Sequence, residues 1–386
     1  MIFNHQELSY NLNPSKSYLH RYLIVASFLN TSLKIKNFVL NNDILETINV
    51  LNKIGKKIII NKDYLLVIGN NDKSVVDQVE INESGTTLRL LLPLLANIGV
   101  KEIKVGARLF NRPIDEYSEF IRKKENYTLV LKEGKINTID ASISSQFVSG
   151  LLIYNALAQQ EKIIQTKSKK VSKNYIEITI DVLKHFGYKY AIDGDNYVLN
   201  INEKTINEIT IENDYSTFAN YFIHALLTNK HCFTGYNLNS LQGDKKILDI
   251  FKDNLSLEND IICITNQKLK PLNIELDNII DLAPILFVYA SFVEEESYFY
   301  EFKRLKDKES DRLDSMLQNF DILGVDYTLS EACLMIKGKK EYPFRSVKSY
   351  NDHRIAMAFI VFGLINKNGI DIDEVKCLNK SVINFF

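Results

Sequence analysis

Pro14-Ser15-Lys16-Ser17-Tyr18-Leu19-His20-Arg21 opens the stretch on which the reading of this chain turns, and it runs straight into the apolar segment 22–29. A proline followed by a hydroxyl residue is a helix start: the ring suits the first turn and the side chain can cap orphan amides. Lys16, His20 and Arg21 then crowd the first turn and a half, where the helix dipole disfavours cations. Lys16 and His20 are four residues apart, as are Ser17 and Arg21, so the pairs lie on adjacent faces. Cations, hydroxyls and free amides gathered at one helix start suit an anion.

The device recurs. A small polar cluster leads into an apolar helix at Ser84-Gly85-Thr86-Thr87, Ser144-Ser145-Gln146, Tyr215-Ser216-Thr217, Asp281 and Asn351-Asp352-His353-Arg354. With Ser15, Ser84, Ser144, Ser216, Asp281 and Asp352 as markers, the intervals are 69, 60, 72, 65 and 71 residues. Hydroxyls cap helices everywhere, but six at a near-constant period imply an internal repeat.

Between the markers the pattern is regular. Residues 32–40 alternate as a strand, and 43–54 have helical spacing with Asp43 as cap and Gly55 as stop. Residues 57–60 and 64–68 form a hairpin-like pair, so the unit reads helix, strand, helix, two strands. The second unit follows with a strand at 102–105, a helix at 114–123, and strands at 127–131 and 135–139. Second helices are expected at 175–186, 246–251 and 313–323 in the units after it. The marker helices at 88–95, 147–157 and 219–227 are apolar almost all round, which favours burial with sheets outside them.

At 386 residues the chain has room for two or three domains, and 46% hydrophobic with 25% charged residues fits a globular protein with a substantial core. A net charge of −1 provides no global field for nucleic acid. Cys232, Cys263, Cys333 and Cys377 stand singly, as expected of reduced cytosolic thiols. The N-terminus shows no signal segment and no apolar run approaches a membrane span of ~20 residues, so the expected location is cytoplasmic. The sequence contains no GxGxxG, GxxxxGK[ST] or GxSxG. His5, His20, His185, His224, His231 and His353 show no metal-ligand spacing. What remains is a set of cations beside helix starts, suited to small, highly charged anions because guanidinium grips phosphate and carboxylate in a bidentate manner.

The motifs then form a known pattern: Pro14-Ser15-Lys16-Ser17 with His20-Arg21, Glu83-Ser84-Gly85-Thr86-Thr87-Leu88-Arg89, Asn111-Arg112-Pro113-Ile114, Ser144-Ser145-Gln146-Phe147 and Val171-Ser172-Lys173-Asn174-Tyr175-Ile176. Gln242-Gly243-Asp244, Asp281-Leu282-Ala283, Lys308-Glu309-Ser310-Asp311-Arg312, Asn351-Asp352-His353-Arg354 and Lys380-Ser381 complete it. Over its whole length the chain resembles the EPSP synthases of the enolpyruvyl transferase family. The KESDR and NDHR segments are the specific ones.

The resemblance implies an α/β (α+β) fold: a two-lobed inside-out α/β barrel, each lobe three repeated βαβαββ-like units with buried helices. The lobes are expected at 14–240 and at 1–13 with 241–386, with the active site in the cleft between them. The implied reaction moves the enolpyruvyl group of phosphoenolpyruvate to the 5-hydroxyl of shikimate 3-phosphate and releases phosphate. It needs no metal or organic cofactor, and no nucleic acid, membrane or protein partner; a monomer is expected. By resemblance, Lys16, Ser17, Arg21, Ser144, Ser145, Gln146, Ser172, Asp281 and Lys308 hold shikimate 3-phosphate. Lys16, Gly85, Arg112, Gln146, Arg312, Arg354 and Lys380 hold phosphoenolpyruvate. The catalytic set is Asp281 as base at the attacking hydroxyl, Glu309 as acid at the methylene carbon, and Lys16.

Three departures stand out. Asn174 replaces the usual proline of its segment, Arg304 occupies a position where some members carry a substrate-binding Asn, and the terminal segment from Lys380 lacks a proline. Two rivals remain: enolpyruvyl transfer to a UDP-amino sugar on the same fold, and a non-catalytic anion-binding scaffold. Intact Asp281, Glu309 and Lys380 speak against the scaffold.

Overall fold

The computed structural model describes residues 1–3, 10–72, 76–158, 163–168, 170–202, 204–382 and 385. His5 and the end of the terminal segment (383, 384 and 386) lie outside the described residues. Each of the six markers opens a buried helix: Lys16–Ser27, Gly85–Asn97, Ser145–Ala158, Tyr215–Leu227, Ala283–Ser291 and His353–Ile365. The caps are less uniform than the markers. The side chains of Ser84, Asp214 and Asp352 accept from Thr87 N, Thr217 N and Arg354 N at 3.1, 2.7 and 2.9 Å. Ser15 makes no such bond, and its buried hydroxyl has no partner among the described residues. Asp281 sits one turn before its helix, in the 3₁₀ segment Ile280–Leu282, and Pro284 occupies the helix's first turn.

The chain divides into two compact units, Pro14–Glu212 and Met1–Asn13 with Asn213–Phe386. The second crossing therefore falls at 212/213 rather than near 240. The cause is the fourth marker helix, Tyr215–Leu227, whose Phe218, Tyr221 and Phe222 pack in the core with Phe3, Phe251 and Phe385. A cut at 240 would have left four marker helices in one unit and two in the other.

In the Pro14–Glu212 unit the second and third marker helices each join two parallel strands, and in all three repeats an antiparallel hairpin extends the sheet. Gln78–Ile81 pairs in parallel with Glu102–Val105, and Ile121–Lys124 with Thr128–Leu131 forms the hairpin. Thr138–Asp140 pairs in parallel with Ile163–Lys167, followed by the helix Lys173–His185 and the hairpin Tyr188–Asp193/Asn196–Ile201. The first repeat, Ser32–Lys36 with the hairpin Lys57–Ile60/Tyr64–Ile68, takes its parallel strand Glu208–Thr210 from the end of the unit. Ile35 faces Ile209 in that pairing, so a strand from the end of the unit pairs with one from its beginning.

The other unit is built alike. Asn273–Glu275 lies parallel to Glu296–Tyr300, with the helix Arg312–Leu323 and the hairpin Asp326–Leu329/Leu334–Lys337. Ser346–Val347 lies parallel to Ile370–Ile372, and Ile2–Phe3 completes that sheet. Cys232–Phe233, Leu255–Glu258 and Ile261–Ile264 form an antiparallel three-stranded sheet. Among the described residues there are six small sheets, three per unit, and two cores lined by the marker helices.

Three local expectations change. Residues 114–123 are not a helix: a 3₁₀ turn at Asp115–Tyr117 leads into the strand Ile121–Lys124. Asn126 and Tyr127 turn that hairpin in the left-handed region, at φ 57° and 53°. The strand at 32–40 stops at Lys36, where Asn37 takes φ 53°. Cys232 and Cys263 are not free thiols; they sit opposite each other in the antiparallel ladder and are joined by a disulfide. Their separation of 31 residues hides the pairing from a search for close spacing.

Candidate functional site

In the Pro14–Glu212 unit, Lys16 Nζ lies 3.0 Å from Asp43 Oδ2, both side chains mostly buried at 17% and 12% exposure. Asp43 was expected to cap its helix. Asn41 does that instead, its side chain accepting from Ile44 N at 3.0 Å, which leaves the Asp43 carboxylate to hold the lysine. Asp43 is thereby the partner of the candidate site residue Lys16, which the sequence reading missed; the signal was an acidic residue in the first turn just after a better cap. Beside it runs a buried hydroxyl chain: His20 Nδ1 to Thr47 Oγ1 at 2.8 Å, Thr47 to Thr87 at 2.6 Å, Thr87 to Ser84 Oγ at 2.7 Å. Burial, then Lys16 and Arg21, push the His20 imidazole well below its ordinary pKa, so it stays neutral.

Arg21 is buried. Its Nε donates to Thr179 Oγ1 at 2.7 Å, Nη1 to the Ser17 carbonyl at 2.7 Å, and Nη2 to the Tyr175 carbonyl and Ser149 Oγ at 3.1 and 3.3 Å. The first and third marker helices and the Lys173–His185 helix are thereby tied through one guanidinium, whose pKa burial lowers to about 10. Ser172, at the start of that last helix, is buried in a left-handed conformation at φ 47°.

The second and third marker helices meet at Gln146. Its Oε1 accepts from Arg89 Nη1 and its Nε2 donates to Thr86 Oγ1, each at 2.9 Å, while Arg89 Nη2 reaches the Pro113 carbonyl at 2.9 Å. Arg112, from the adjoining loop, lies over Gly85: a Cβ there would stand 2.7 Å from Arg112 Nη1. Ser144 Oγ accepts from Gln146 N at 3.3 Å, and Ser145 is buried in the same helix's first turn. The structure thus gathers cations and hydroxyls at helix starts, as the spacing implied.

The second unit carries a charge network of its own. Asp281 Oδ1 stands 2.7 Å from Arg312 Nη1 and 3.2 Å from Lys308 Nζ. Arg312 continues to Asp352, with Nε to Oδ2 at 2.7 Å and Nη2 to Oδ1 at 3.3 Å. Asp352 also accepts from Ser310 N and Oγ, each at 3.3 Å, so the KESDR and NDHR segments share one carboxylate. Glu309 Oε2 lies 3.0 Å from His353 Nδ1. Lys380 Nζ donates to the Asn351 carbonyl at 3.1 Å. Sequence reading had placed Asp352, His353 and Asp244 in motifs, with Asp352 as a helix-start marker, but had given none of them a substrate-binding or catalytic role. Glu309, Asp352 and His353 bring donor atoms within 4.8 Å of one another, but both Asp352 oxygens accept from Arg312.

Burial disfavours the charged form of Asp281, yet Lys308, Arg312 and Arg354 outweigh it and hold the carboxyl well below the usual range. Asp244, hydrogen-bonded to Ser216, is pushed up to about 6 by burial and by Asp281. Lys308 falls to about 8 through burial and the cations Arg312 and Arg304, against the pull of Asp281. A lysine with a lowered pKa is charged below that value and neutral above it. The basic limb of kcat/KM, which reports the free protein, is therefore expected near pH 8. Lys308→Arg moves that limb up by more than one unit; an unmoved limb means another group sets it.

Two units of three repeats, with lysines and arginines at buried helix starts, define a protein built to hold small polyanions. The comparisons narrow the class. A family model described as EPSP synthase (3-phosphoshikimate 1-carboxyvinyltransferase) matches residues 5–386. The 3-phosphoshikimate 1-carboxyvinyltransferase of Clostridium novyi (strain NT) is 31% identical over 406 residues, covering 97% of this chain and 93% of its own. That of Brachyspira hyodysenteriae is 30% identical, covering 97% and 93%. The solved EPSP synthase of Acinetobacter baumannii superposes with TM-score 0.78 at 21% identity over 98% of this chain and 95% of its own. The enolpyruvyl transferase NikO of Streptomyces tendae does so with TM-score 0.72 at 13% identity, over 98% and 93%. The chain belongs to the EPSP synthase family.

Proposed function

We propose that this chain transfers the enolpyruvyl group of phosphoenolpyruvate to the 5-hydroxyl of shikimate 3-phosphate, giving 5-enolpyruvylshikimate 3-phosphate and phosphate. The observation that carries the reading is the Asp281 carboxylate, held ionised by Lys308 and Arg312, with a second carboxylate at Glu309, the residue that follows Lys308. Addition and elimination at the donor's double bond need both: a base at the attacking hydroxyl and an acid at the methylene carbon.

On the Pro14–Glu212 unit, the assigned ligands of shikimate 3-phosphate are Lys16, Ser17, Arg21, Ser144, Ser145, Gln146 and Ser172. Gly85 and Arg112, with Lys16 and Gln146, take the donor. On the other unit Lys308 and Asp281 face the acceptor, while Arg312, Arg354 and Lys380 take the donor. A carboxylate this strongly paired is a weak base. Substrate phosphate and carboxylate groups that draw on the same cations would raise its basicity, so the base gains strength once substrate is bound. The family reading also gives each unit as an inside-out barrel, and the protein as a cytoplasmic monomer acting in aromatic amino-acid synthesis without cofactor.

The test is genetic. A bacterium deleted for its own EPSP synthase is expected to grow without aromatic amino acids when it expresses this chain. Absence of growth with the protein present and folded overturns the reading.

Gly85 makes a second prediction. By family resemblance glyphosate competes with phosphoenolpyruvate and is the longer molecule. A methyl at Gly85 meets the Arg112 guanidinium at 2.7 Å and displaces it. Overpacking of this kind costs roughly 1–3 kcal/mol, so Gly85→Ala is expected to weaken glyphosate by about 10- to 100-fold and the shorter donor by less. Equal losses in inhibition constant and KM would show that Gly85 serves only the helix start.

A further inference from the structure

Asp281 and Lys308 are joined by one ion pair, and a second runs beside it. Arg304 Nη1 lies 3.5 Å from Asp277 Oδ1 and donates to the Asp277 carbonyl at 3.1 Å. Asp277 precedes Asp281 by four residues and Arg304 precedes Lys308 by four, so each pair spans 27 residues. The pairs are two rungs between the same two segments. Both are largely buried, with side-chain exposures of 18% and 9% for Arg304 and Asp277 and 20% and 16% for Lys308 and Asp281.

The segments themselves are weak. Asp281 sits in a 3₁₀ turn of three residues, and Lys308 ends one of five, Lys303–Asp307. Short 3₁₀ turns have poor hydrogen-bond geometry and do not by themselves fix a side chain. We propose that Arg304 and Asp277 form a positioning pair for the reaction, holding Asp281 and Lys308 in register and adding a positive charge to the field on both. A guanidinium suits this place because it keeps its charge when largely buried, and its Nη1 reaches the carbonyl and the carboxylate of Asp277 together. The inference rests on the proposed role of Asp281 as base.

The charges facing each group fix the signs. Asp281 faces Lys308, Arg312, Arg354 and, one rung away, Arg304, with Asp244 opposing them. Lys308 faces Asp281, Arg312 and Arg304. Removing the Arg304 charge destabilises the Asp281 anion and relieves the repulsion on Lys308, so both pKa values rise. Removing the Asp277 charge does the opposite.

The experiment measures kcat and kcat/KM against pH for the wild type, Arg304→Gln, Arg304→Lys and Asp277→Asn, with shikimate 3-phosphate and phosphoenolpyruvate. Arg304→Gln is expected to lose about 10- to 100-fold in kcat, the scale of a small misplacement, with both limbs moved to higher pH. Arg304→Lys returns the limbs to their wild-type places but recovers only part of kcat. Asp277→Asn moves both limbs down and remains informative if Arg304→Gln fails to fold. Limbs left in place in Arg304→Gln, or in Asp277→Asn if it alone folds, overturn the positioning role, since a merely structural loss lowers rates without moving them. Asp281→Asn separates the two failures. If it abolishes turnover while the limbs of the Arg304 and Asp277 variants stay put, only the positioning role falls. If it leaves turnover intact, the base assignment falls and takes the positioning role with it.

Discussion

Asp281→Asn and Glu309→Gln are each expected to lower turnover by roughly 10²–10⁴-fold, the range for a lost general base or acid. The two losses have different companions. Asp281 is also the partner of Lys308 and Arg312, so its neutral variant leaves two cations with one fewer anion. Stronger binding of an anionic substrate should accompany the lost turnover, seen as a lower KM for shikimate 3-phosphate. Glu309 keeps 22% of its side chain exposed and pairs with His353 at 3.0 Å, so its loss disturbs the network less. Arg354→Ala should instead raise the KM for phosphoenolpyruvate most strongly. Steady-state kinetics on the purified variants check all three, and an unchanged kcat for Glu309→Gln would end its assignment as proton donor.

Arg312→Leu is expected to cost about 3–5 kcal/mol of stability, because removing one member of a buried ion network strands the others. Arg312 is 3% exposed and bridges Asp281 and Asp352, the latter with a fully buried side chain. Asp352 depends on it: burial opposes the Asp352 anion, and Arg312 is the leading influence that keeps its carboxyl below the ordinary range. Urea unfolding of the variant against the wild type measures the loss. A difference under about 1 kcal/mol would place this network among exposed pairs of little consequence.

The periodic, local features were legible in the sequence. Six polar starts before apolar runs identified six buried helices because a marker helix buries all its faces and leaves only its first turn polar. The hairpin strands at 57–60 and 64–68 read correctly because β-branched runs flank a polar turn. What failed was decided at a distance. Residues 114–123 carry helical spacing, but Arg122, Lys123 and Lys124 are used as an exposed hairpin strand paired with Thr128–Leu131. Asp43 looked like a cap until Asn41, two residues earlier, took that role and freed it for Lys16. The Cys232–Cys263 bond depends on which strands are neighbours. The unit boundary was placed at a repeat junction near 240, whereas the buried helix at Tyr215–Leu227 decides it.

For the site, motif residues could be named in advance and their partners could not. Nothing local indicated that Asp352 would receive Arg312, or that Asp277 and Arg304 would run beside Asp281 and Lys308. Such pairs join residues 27 to 40 positions apart, and a single sequence carries no record of them.

Release of phosphate from phosphoenolpyruvate, followed by a coupled assay with shikimate 3-phosphate, with a UDP-amino sugar and with no acceptor, tests the central claim most directly. The account predicts steady release with shikimate 3-phosphate and none in the other two arms. Release that requires the UDP-amino sugar, or the absence of release in every arm from folded protein, would contradict it.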